Sequence, residues 1–308
     1  MNRLVHVFDN GVQVYDNHLW PDQRERYRKR NVHEAEEEDT FVEILRSLPP
    51  DGCFVDIGSA IGYYPLLAKQ MVPGLVVHAV EPLELHRQQF LENIALNGLA
   101  QRDFTIHEEA ISSSVGRARF LEDGYGSGIQ RSSVAARTES RCVLEVRTTT
   151  LDRLMERIGR HVDLCQMDVQ GHELDVLEGA RRILDSGGIT TFLIGTHSPR
   201  LHRLCMALLT DHGYEILHDL YDTREQPDGI LAASRLTAPR RGNLTASRWG
   251  RSPSALGLRQ PGRPSRQRAP AASRAAPGSE PPAPPHPPRT SRRSTRRWRS
   301  PRHPRRSR

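Results

Sequence analysis

The sequence predicts an α/β fold in which helices cover both faces of a mostly parallel, doubly wound sheet. Short apolar runs such as Cys53–Ile57 stop at a glycine or an acid, which is typical of buried parallel strands. Helical segments alternate with these runs along the chain, as they do in sheets built from strand–helix–strand units. Nearly all of this pattern lies within residues 1–240, which is enough chain for one large core.

The first 50 residues precede the alternating pattern. A turn signal at Asp9–Gly11 separates Val5–Phe8 from Val12–Tyr15, which predicts a short hairpin. Apolar residues then recur at helical spacing over 33–48. We expect residues 1–50 to form a hairpin and a helix that cover a substrate or cofactor site.

Strands and helices alternate from residue 51 to residue 238, which we expect to be the catalytic domain. The predicted strands are Cys53–Ile57, Val76–Val80, Phe104–His107, Arg117–Leu121, Val143–Thr149, Leu164–Val169, Ile189–Ile194 and Tyr214–Leu217. The predicted helices are Tyr63–Met71, Leu83–Leu96, Leu151–Ile158, Glu173–Leu184 and Arg200–His212. A Gly/Ser-rich stretch over 124–140 interrupts the pattern and is a candidate wall of the substrate site.

The composition changes abruptly after Pro239. Residues 241–308 hold 18 arginines, no lysine, one acid and 13 of the 22 prolines, a formal charge of +17. Because the whole chain carries +7, residues 1–240 carry −10. We expect residues 239–308 to be a disordered tail, since they cannot bury enough apolar surface to fold. The tail could bind nucleic acid or acidic lipid by charge, act as a tether, or come from a shifted reading frame of a GC-rich gene; the absence of lysine favours the last.

Several classes of protein are excluded by composition. No apolar run of about 18 residues is present, so no membrane-spanning helix is expected. The N-terminus lacks the apolar core of a signal peptide, and the four cysteines show no C-x-x-C spacing. We therefore expect a cytoplasmic protein with free thiols. No cluster of Asp, Asn and His demands a metal, so no metal ligands are predicted and metal dependence stays open.

The strongest motif follows the first predicted strand, where Asp56 precedes Gly58 and Gly62 at the opening of a helix. Glycines here would let the backbone approach a ligand closely. A carboxylate beside a pyrophosphate would repel it, whereas it suits the α-amino end of S-adenosylmethionine. Glu81 ends the next strand, where an acid can accept hydrogen bonds from both hydroxyls of a ribose.

The end of the third strand is the expected place for an adenine ring. Glu109 or a nearby backbone N–H would contact the exocyclic amine, and Ala110 or Ile111 would cover the ring face. Glu109 also fits a plain solvated loop.

Catalytic candidates lie at the ends of two later strands. His197 is predicted to be a general base near neutral pH, and Asp168 is the second candidate. Asp168 could instead cap the following helix, and Glu173 could simply favour that helix's N-terminus. His172 is more typical of a surface residue than of a base.

In these motifs the chain resembles the FkbM family of S-adenosylmethionine-dependent methyltransferases, over roughly residues 35–220. The resemblance implies a Rossmann-like class I methyltransferase fold and O-methylation of a hydroxyl on a sugar, a glycan or a polyketide-type compound. The matching blocks are Phe54–Gly58, Ile61–Tyr64, Ala79–Pro82, Ala110–Ser112 with Gly116, Thr150–Asp152, Met167–Glu173, Leu177–Ala180, His197 and Gly213–Tyr214. Asp56, Gly58, Gly62 and Glu81 match cofactor contacts. Two positions depart from the family, which usually has Glu at Gln170 and often an acid at Gly195.

Two other functions fit parts of the sequence. A nucleic-acid-binding or nucleic-acid-modifying protein would act through the Arg-rich tail, with association that weakens in salt. A dinucleotide-dependent oxidoreductase would share the acid at the end of the second strand, and it would respond to NAD rather than to S-adenosylmethionine.

Overall fold

The computed structural model describes residues 3–122, 127–129, 142–221 and 228–235. The predicted tail over 239–308 lies outside these residues, as does most of the Gly/Ser-rich stretch over 124–140. Strands run over β1 (Val5–Val7), β2 (Gln13–Tyr15), β3 (Cys53–Ile57), β4 (Val76–Val80), β5 (Phe104–His107), β6 (Ala110–Ile111), β7 (Gly116–Glu122), β8 (Gly128–Ile129), β9 (Cys142–Thr149), β10 (Val162–Met167), β11 (Ile189–Thr196), β12 (Glu215–Leu220) and β13 (Gly229–Ser234). Helices run over α1 (Pro21–Tyr27), α2 (Ala35–Leu45), α3 (Tyr63–Met71), α4 (Glu84–Leu96), α5 (Leu151–Ile158), α6 (Glu173–Glu178), α7 (Arg181–Ser186) and α8 (Pro199–Asp211).

The central sheet has seven strands in the order β12-β13-β11-β10-β3-β4-β5. The five strands from β11 to β5 are parallel, whereas β13 runs antiparallel to both β11 and β12. This arrangement confirms the α/β fold and the mostly parallel, doubly wound sheet. The chain leaves β3 toward β4 on one side and later returns to β10 on the other, so a crevice opens beyond the carboxyl ends of β3 and β10.

Side chains that alternate along each central strand divide the core between the two faces of the sheet. Phe54 and Val77 pack in one buried cluster with residues of α2, α3 and α4. Cys53, Val55 and Ile57 pack in the other, with residues of α5, α6 and α8. A four-stranded sheet of order β6-β9-β7-β8 lies after β5 in the chain.

Helix α1 is an element that the sequence does not predict. Helix α1 begins with Pro21 at its first position, and the Gln23 side chain accepts a hydrogen bond from the Trp20 N–H. Strands β6, β8 and β13 were also absent from the prediction. Strands β6 and β8 have only two residues each. Strand β13 pairs with β11 and β12, and the prediction from the sequence did not include it.

The predicted helix over 173–184 is two helices, α6 and α7. The carbonyl of Gly179 accepts a hydrogen bond from the Asp152 N–H instead of continuing the helix. The Asp152 carboxylate then accepts from the backbone N–H groups of Arg182 and Ile183, which caps the start of α7. A contact from α5, remote in sequence, therefore splits the predicted helix.

Cys53, Cys165 and Cys205 are buried and unpaired, as expected. Every helix in the described part of the chain is too short or too polar to cross a bilayer.

Candidate functional site

The predicted site residues meet at one edge of the central sheet. Asp56 is the penultimate residue of β3. Glu81 directly follows β4, Asp168 directly follows β10, and His197 directly follows β11. These four strands are neighbours in the order β11-β10-β3-β4, so their carboxyl ends face the crevice together. Two adjoining cavities lie there, and they share Gly58, Ala60 and Asp168.

The first cavity has an empty volume of about 500 Å³. Glu81 and His86 line one side of it, beside the backbone of Gly58. Most of its remaining wall is apolar and comes from Ile57, Val80, Pro82, Ala110, Ile111, Phe120, Ile129 and Val169. The cavity therefore combines an apolar slot with two carboxyl groups, those of Glu81 and Asp168.

Glu81 is held rigidly at this edge. Its Oε2 accepts a hydrogen bond from the Ala60 N–H at 2.9 Å, and its Oε1 accepts one from the Leu83 N–H at 2.8 Å. His86 Nδ1 lies 3.4 Å from Oε1. Each carboxylate oxygen can accept two hydrogen bonds, so Glu81 keeps acceptor capacity toward the cavity.

Of the residues predicted to contact adenine, Ala110 lines the first cavity and Glu109 lines neither. The Glu109 Oε1 instead accepts a hydrogen bond from Arg157 Nη1 at 2.7 Å. That hydrogen bond holds the pKa of Glu109 below its usual value, although partial burial opposes the shift. The structure therefore gives Glu109 an ion-pairing partner away from the cavity.

The two glycines of the loop after β3 differ in their surroundings. Gly58 has φ +91°, and a Cβ there would lie 2.0 Å from the Asp168 carbonyl oxygen. Gly62 has φ +87°, and a Cβ there would lie 1.9 Å from the Phe90 ring. Gly58 lines both cavities and Gly62 lines neither. The close approach that requires glycine is thus to the protein itself at both positions.

The second cavity has an empty volume of about 450 Å³ and lies under the N-terminal segment. Its polar lining residues include Glu34, Asp56, Gln166 and Asp168. Its aromatic and aliphatic wall comes from Phe8, Leu19, Tyr27, Ile61, Tyr63 and Tyr64. Residues from the first 50 positions therefore enclose the side of the site opposite the first cavity.

Asp56 is 1% exposed, and its Oδ1 accepts no hydrogen bond within the described residues. The pKa of Asp56 is raised to about 8, mainly by burial; a hydrogen bond from Ser59 opposes the shift, and the charges of Asp168 and Glu81 add to it. An unpaired buried carboxyl is costly unless a ligand completes it. Asp56 is thus suited to a cationic or hydrogen-bond-donating partner in the second cavity.

His197 lies among three carboxylates. Its Nδ1 donates to Glu173 Oε1 at 2.9 Å, and its Nε2 lies 3.4 Å from both Asp168 Oδ1 and Asp228 Oδ1. Burial alone lowers the pKa of His197, but the charges of Asp168, Glu173 and Asp228 raise it to about 10. The imidazole therefore carries protons on both ring nitrogens at neutral pH and is positively charged. The sequence instead predicts a neutral imidazole that acts as a base.

The acids around His197 are themselves perturbed. Burial raises the pKa of Asp168 to about 6, although His197 opposes the shift. Burial and the nearby Asp168 raise the pKa of Glu34 to about 8. Burial also raises the pKa of Asp228 and Glu37. The carboxyls of Glu34, Asp168, Glu173 and Asp228 thus interact with one imidazole, and this crowding favours a bound cation.

Two metal-capable groups arise here that the sequence prediction missed. The first is Asp168, Glu173 and His197, and the second is Glu34, Asp168 and Asp228; within each group the ligand atoms lie within 4.8 Å of one another. These residues come from separate segments, so no spacing in the sequence reveals them. The order of the strands would have brought Asp168 and His197 together, but nothing comparable points to Glu34 or Asp228.

Two residues near Asp168 support neighbouring parts of the site. Gln170 has φ +54°, and its Nε2 donates to Asp168 Oδ1 at 2.9 Å. His172, predicted to be a surface residue, is buried: its Nε2 lies 2.7 Å from the carbonyl oxygen of Ile129, and its Nδ1 lies 2.7 Å from Asp175 Oδ2. Because Ile129 lines the first cavity, His172 anchors part of that wall.

Comparison with known proteins identifies one matching family. The methyltransferase FkbM domain matches residues 56–216. No curated protein matches the chain. Among solved structures, methyltransferase FkbM from Methylobacillus flagellatus KT is 18% identical with a TM-score of 0.44, over 60% of this chain and 44% of that one. The chain thus spans less than half the length of that protein.

Two further structures show similar coverage. Precorrin-6y C5,15-methyltransferase from Geobacter metallireducens GS-15 is 15% identical with a TM-score of 0.38, over 64% of this chain and 88% of that one. Fibrillarin from Aeropyrum pernix, solved with natively bound S-adenosyl-L-methionine, is 14% identical with a TM-score of 0.38, over 60% of this chain and 68% of that one.

Proposed function

Because this chain belongs to the FkbM methyltransferase family, we propose that it transfers a methyl group from S-adenosylmethionine to a hydroxyl of a sugar, a glycan or a polyketide-type compound. The catalytic domain in this proposal is residues 51–238, and residues 1–50 cover the acceptor side of the site.

The observation that carries the proposal is the pair of acids, Asp56 and Glu81, at the ends of neighbouring strands. Each lines one of two adjoining cavities, and the Asp56 Oδ1 is buried without a hydrogen-bond partner. S-adenosylmethionine carries an ammonium and a sulfonium, so buried carboxyls attract it. The pyrophosphate of a dinucleotide would meet the same acids with repulsion.

The first cavity fits the adenosine part of the cofactor. Glu81 is placed to accept hydrogen bonds from the ribose hydroxyls, and Ala110 and Phe120 offer apolar surface to the base. Asp56 in the second cavity would pair with the α-amino group. Gly58 lines both cavities, so it can lie along the ligand between these two ends.

The bound cofactor supplies an electrophilic methyl group on its sulfonium. The protein has to align the acceptor oxygen and take its proton. We assign the role of general base, which takes the proton of the acceptor hydroxyl, to Asp168. Asp168 lines both cavities, whereas His197 lines neither. Gln170 holds Asp168 Oδ1 in place. His197 then acts as a positioning residue that pairs with Asp168.

The acceptor class rests on the wall of the second cavity. Phe8, Tyr27, Tyr63 and Tyr64 offer the flat apolar faces on which sugar rings and macrocycles pack. The Tyr64 hydroxyl is buried and makes no hydrogen bond within the described residues. It can form a hydrogen bond with the hydroxyl of the methyl acceptor, because Tyr64 and Asp168 both line the second cavity.

Titration calorimetry with S-adenosylmethionine tests the proposal. The full chain should bind it, and Asp56→Asn and Glu81→Gln should each lose most of the affinity. Glu84→Gln is the matched control, because Glu84 is exposed in the first turn of α4 and lines neither cavity. NAD should give no heat of binding. Normal binding by both site variants would overturn the assignment of the site, and a response to NAD alone would overturn the function.

A further inference from the structure

The carboxyl edge of the sheet holds a second cluster that the cofactor contacts do not use. Glu34 caps the start of α2, Asp168 and His197 follow β10 and β11, and Asp228 precedes β13. Oxygens of Glu34, Asp168 and Asp228 lie within 4.8 Å of one another. The His197 Nε2 lies 3.4 Å from Asp168 and from Asp228.

Two buried side-chain atoms of residues at this cluster have no hydrogen-bond partner among the described residues. The His197 Nε2 is inaccessible to solvent and makes no hydrogen bond to any described residue, although two carboxylate oxygens are near it. The side chain of Glu173 is fully buried, and its Oε2 also accepts no hydrogen bond in the described part of the chain. Such atoms are rare in folded proteins unless a ligand, a water or an ion completes them.

The hydrogen bond behind the imidazole is the one that metal-binding histidines make. The Glu173 Oε1 accepts hydrogen bonds from backbone N–H groups as well, so it is an acceptor and His197 Nδ1 carries the hydrogen of the 2.9 Å bond between them. A carboxylate that accepts from Nδ1 keeps the hydrogen on that nitrogen. The Nε2 is then left without a hydrogen and can bind a metal. The Glu173 Oε1 is held in turn by the backbone N–H groups of Val169 and Gly171.

We propose that a divalent cation of the Mg²⁺ or Mn²⁺ type binds between Glu34, Asp168, Asp228 and His197, with Glu173 orienting the imidazole. Three carboxylates and one imidazole are hard or intermediate donors, which suit these ions. No cysteine lies in either group, so a thiolate-bound zinc site is not indicated among the described residues.

The cation would also explain how the cluster avoids unpaired charge. Its two positive charges offset the carboxylates when His197 gives up its second proton to bind the metal. One further role rests on the proposed methyl transfer. Asp168 lines both cavities, so an acceptor hydroxyl could bind to the cation beside it. Coordination would weaken the O–H bond, and the proton would pass to the Asp168 oxygen that does not hold the metal.

Manganese binding tests the site without cofactor or acceptor. The full chain is treated with EDTA, dialysed and titrated with Mn²⁺, and free Mn²⁺ is measured by electron paramagnetic resonance. We expect one bound ion per chain. Asp228→Asn removes a ligand, and Glu173→Gln should weaken binding by about 10- to 100-fold, as for other residues that orient ligands. Asp219→Asn is the control, since Asp219 is an exposed acid that pairs with His202.

Absence of stoichiometric Mn²⁺ binding in the folded chain overturns the proposal, as does equal binding by wild type, Asp228→Asn and Glu173→Gln. Melting temperatures establish that each variant is folded, and Glu34→Gln replaces Asp228→Asn if the latter does not fold. Calorimetry with S-adenosylmethionine separates the two proposals. A chain that binds the cofactor but not Mn²⁺ disproves the metal site alone, and the reverse result disproves the methyl-donor assignment alone.

Discussion

The ring of Phe90 occupies the space that a side chain at Gly62 would need. A Cβ at position 62 would lie 1.9 Å from Phe90 Cδ2, and the residue has φ +87°. Phe90 is fully buried on α4, where it packs in the same cluster as Phe54 and Leu66. The glycine thus lets α4 approach the loop that follows β3, which brings Glu81 and Gly58 to one cavity.

We expect Gly62→Ala to destabilise the protein by about 3 kcal/mol or more, because backbone strain and overpacking add. Gly98→Ala is the control, since Gly98 has φ +68° and nothing within 4 Å of its Cβ position. It should lose only about 1–2 kcal/mol. Urea unfolding measures both free energies. In a Phe90→Leu background the cost at position 62 should fall toward the cost at position 98, and equal costs in wild type would contradict the steric argument.

Affinity for S-adenosylmethionine should rise with pH through the titration of Asp56. The groups that face Asp56 are Ser59, Glu81, Cys165 and Asp168. With its pKa at about 8 in the free protein, Asp56 is mostly protonated at pH 6, and pairing with an ammonium requires the ionised form. Between pH 6 and 7 the affinity should rise by about tenfold.

Calorimetry in EDTA buffers checks this dependence below the pH at which the ligand's own amino group titrates. Asp56→Asn should bind weakly at every pH and show a flat profile. An affinity that stays constant or falls over the same range in wild type would show that Asp56 does not receive the ammonium.

The central sheet was predictable because its strands carry their own signal. Cys53–Ile57, Val76–Val80 and Phe104–His107 have in the structure the bounds that the sequence predicts. Each is a short apolar run with polar or glycine residues at its end. Strand β13 was not predictable, since its six residues form a strand only by pairing with β11 and β12.

The residues of the candidate site likewise include some that the sequence predicts and some that it does not. Asp56 and Glu81 follow from strand order alone, because parallel strands end at a common edge. Glu34 and Asp228 come from the segment before α2 and from the residue before β13, and only tertiary folding brings them to Asp168. The sequence also does not show that Glu109 pairs with Arg157, 48 residues away.

His172→Phe should weaken binding of S-adenosylmethionine while leaving the fold intact. The substitution keeps the ring but removes the hydrogen bond to the Ile129 carbonyl, which holds a wall of the first cavity. Loss of one such bond should weaken affinity by about 2- to 10-fold. His212→Phe is the control, because His212 makes a similar pair with Asp185 away from both cavities. Identical dissociation constants for the two variants would exclude a role for His172 in the wall.

Removal of the residues after Pro239 should change neither the melting temperature nor the affinity for S-adenosylmethionine. The contacts of the described fold end at Arg235, whose N–H donates to the Thr190 carbonyl and whose guanidinium donates to the Leu184 carbonyl. Both groups remain in the shortened chain. Scanning calorimetry and cofactor titration compare the two forms, and a large loss of either quantity would show that the Arg-rich tail belongs to the enzyme.

Binding of RNA or DNA, measured at low and high salt, should disappear with the tail, because residues 1–240 carry a charge of −10 and repel a polyanion.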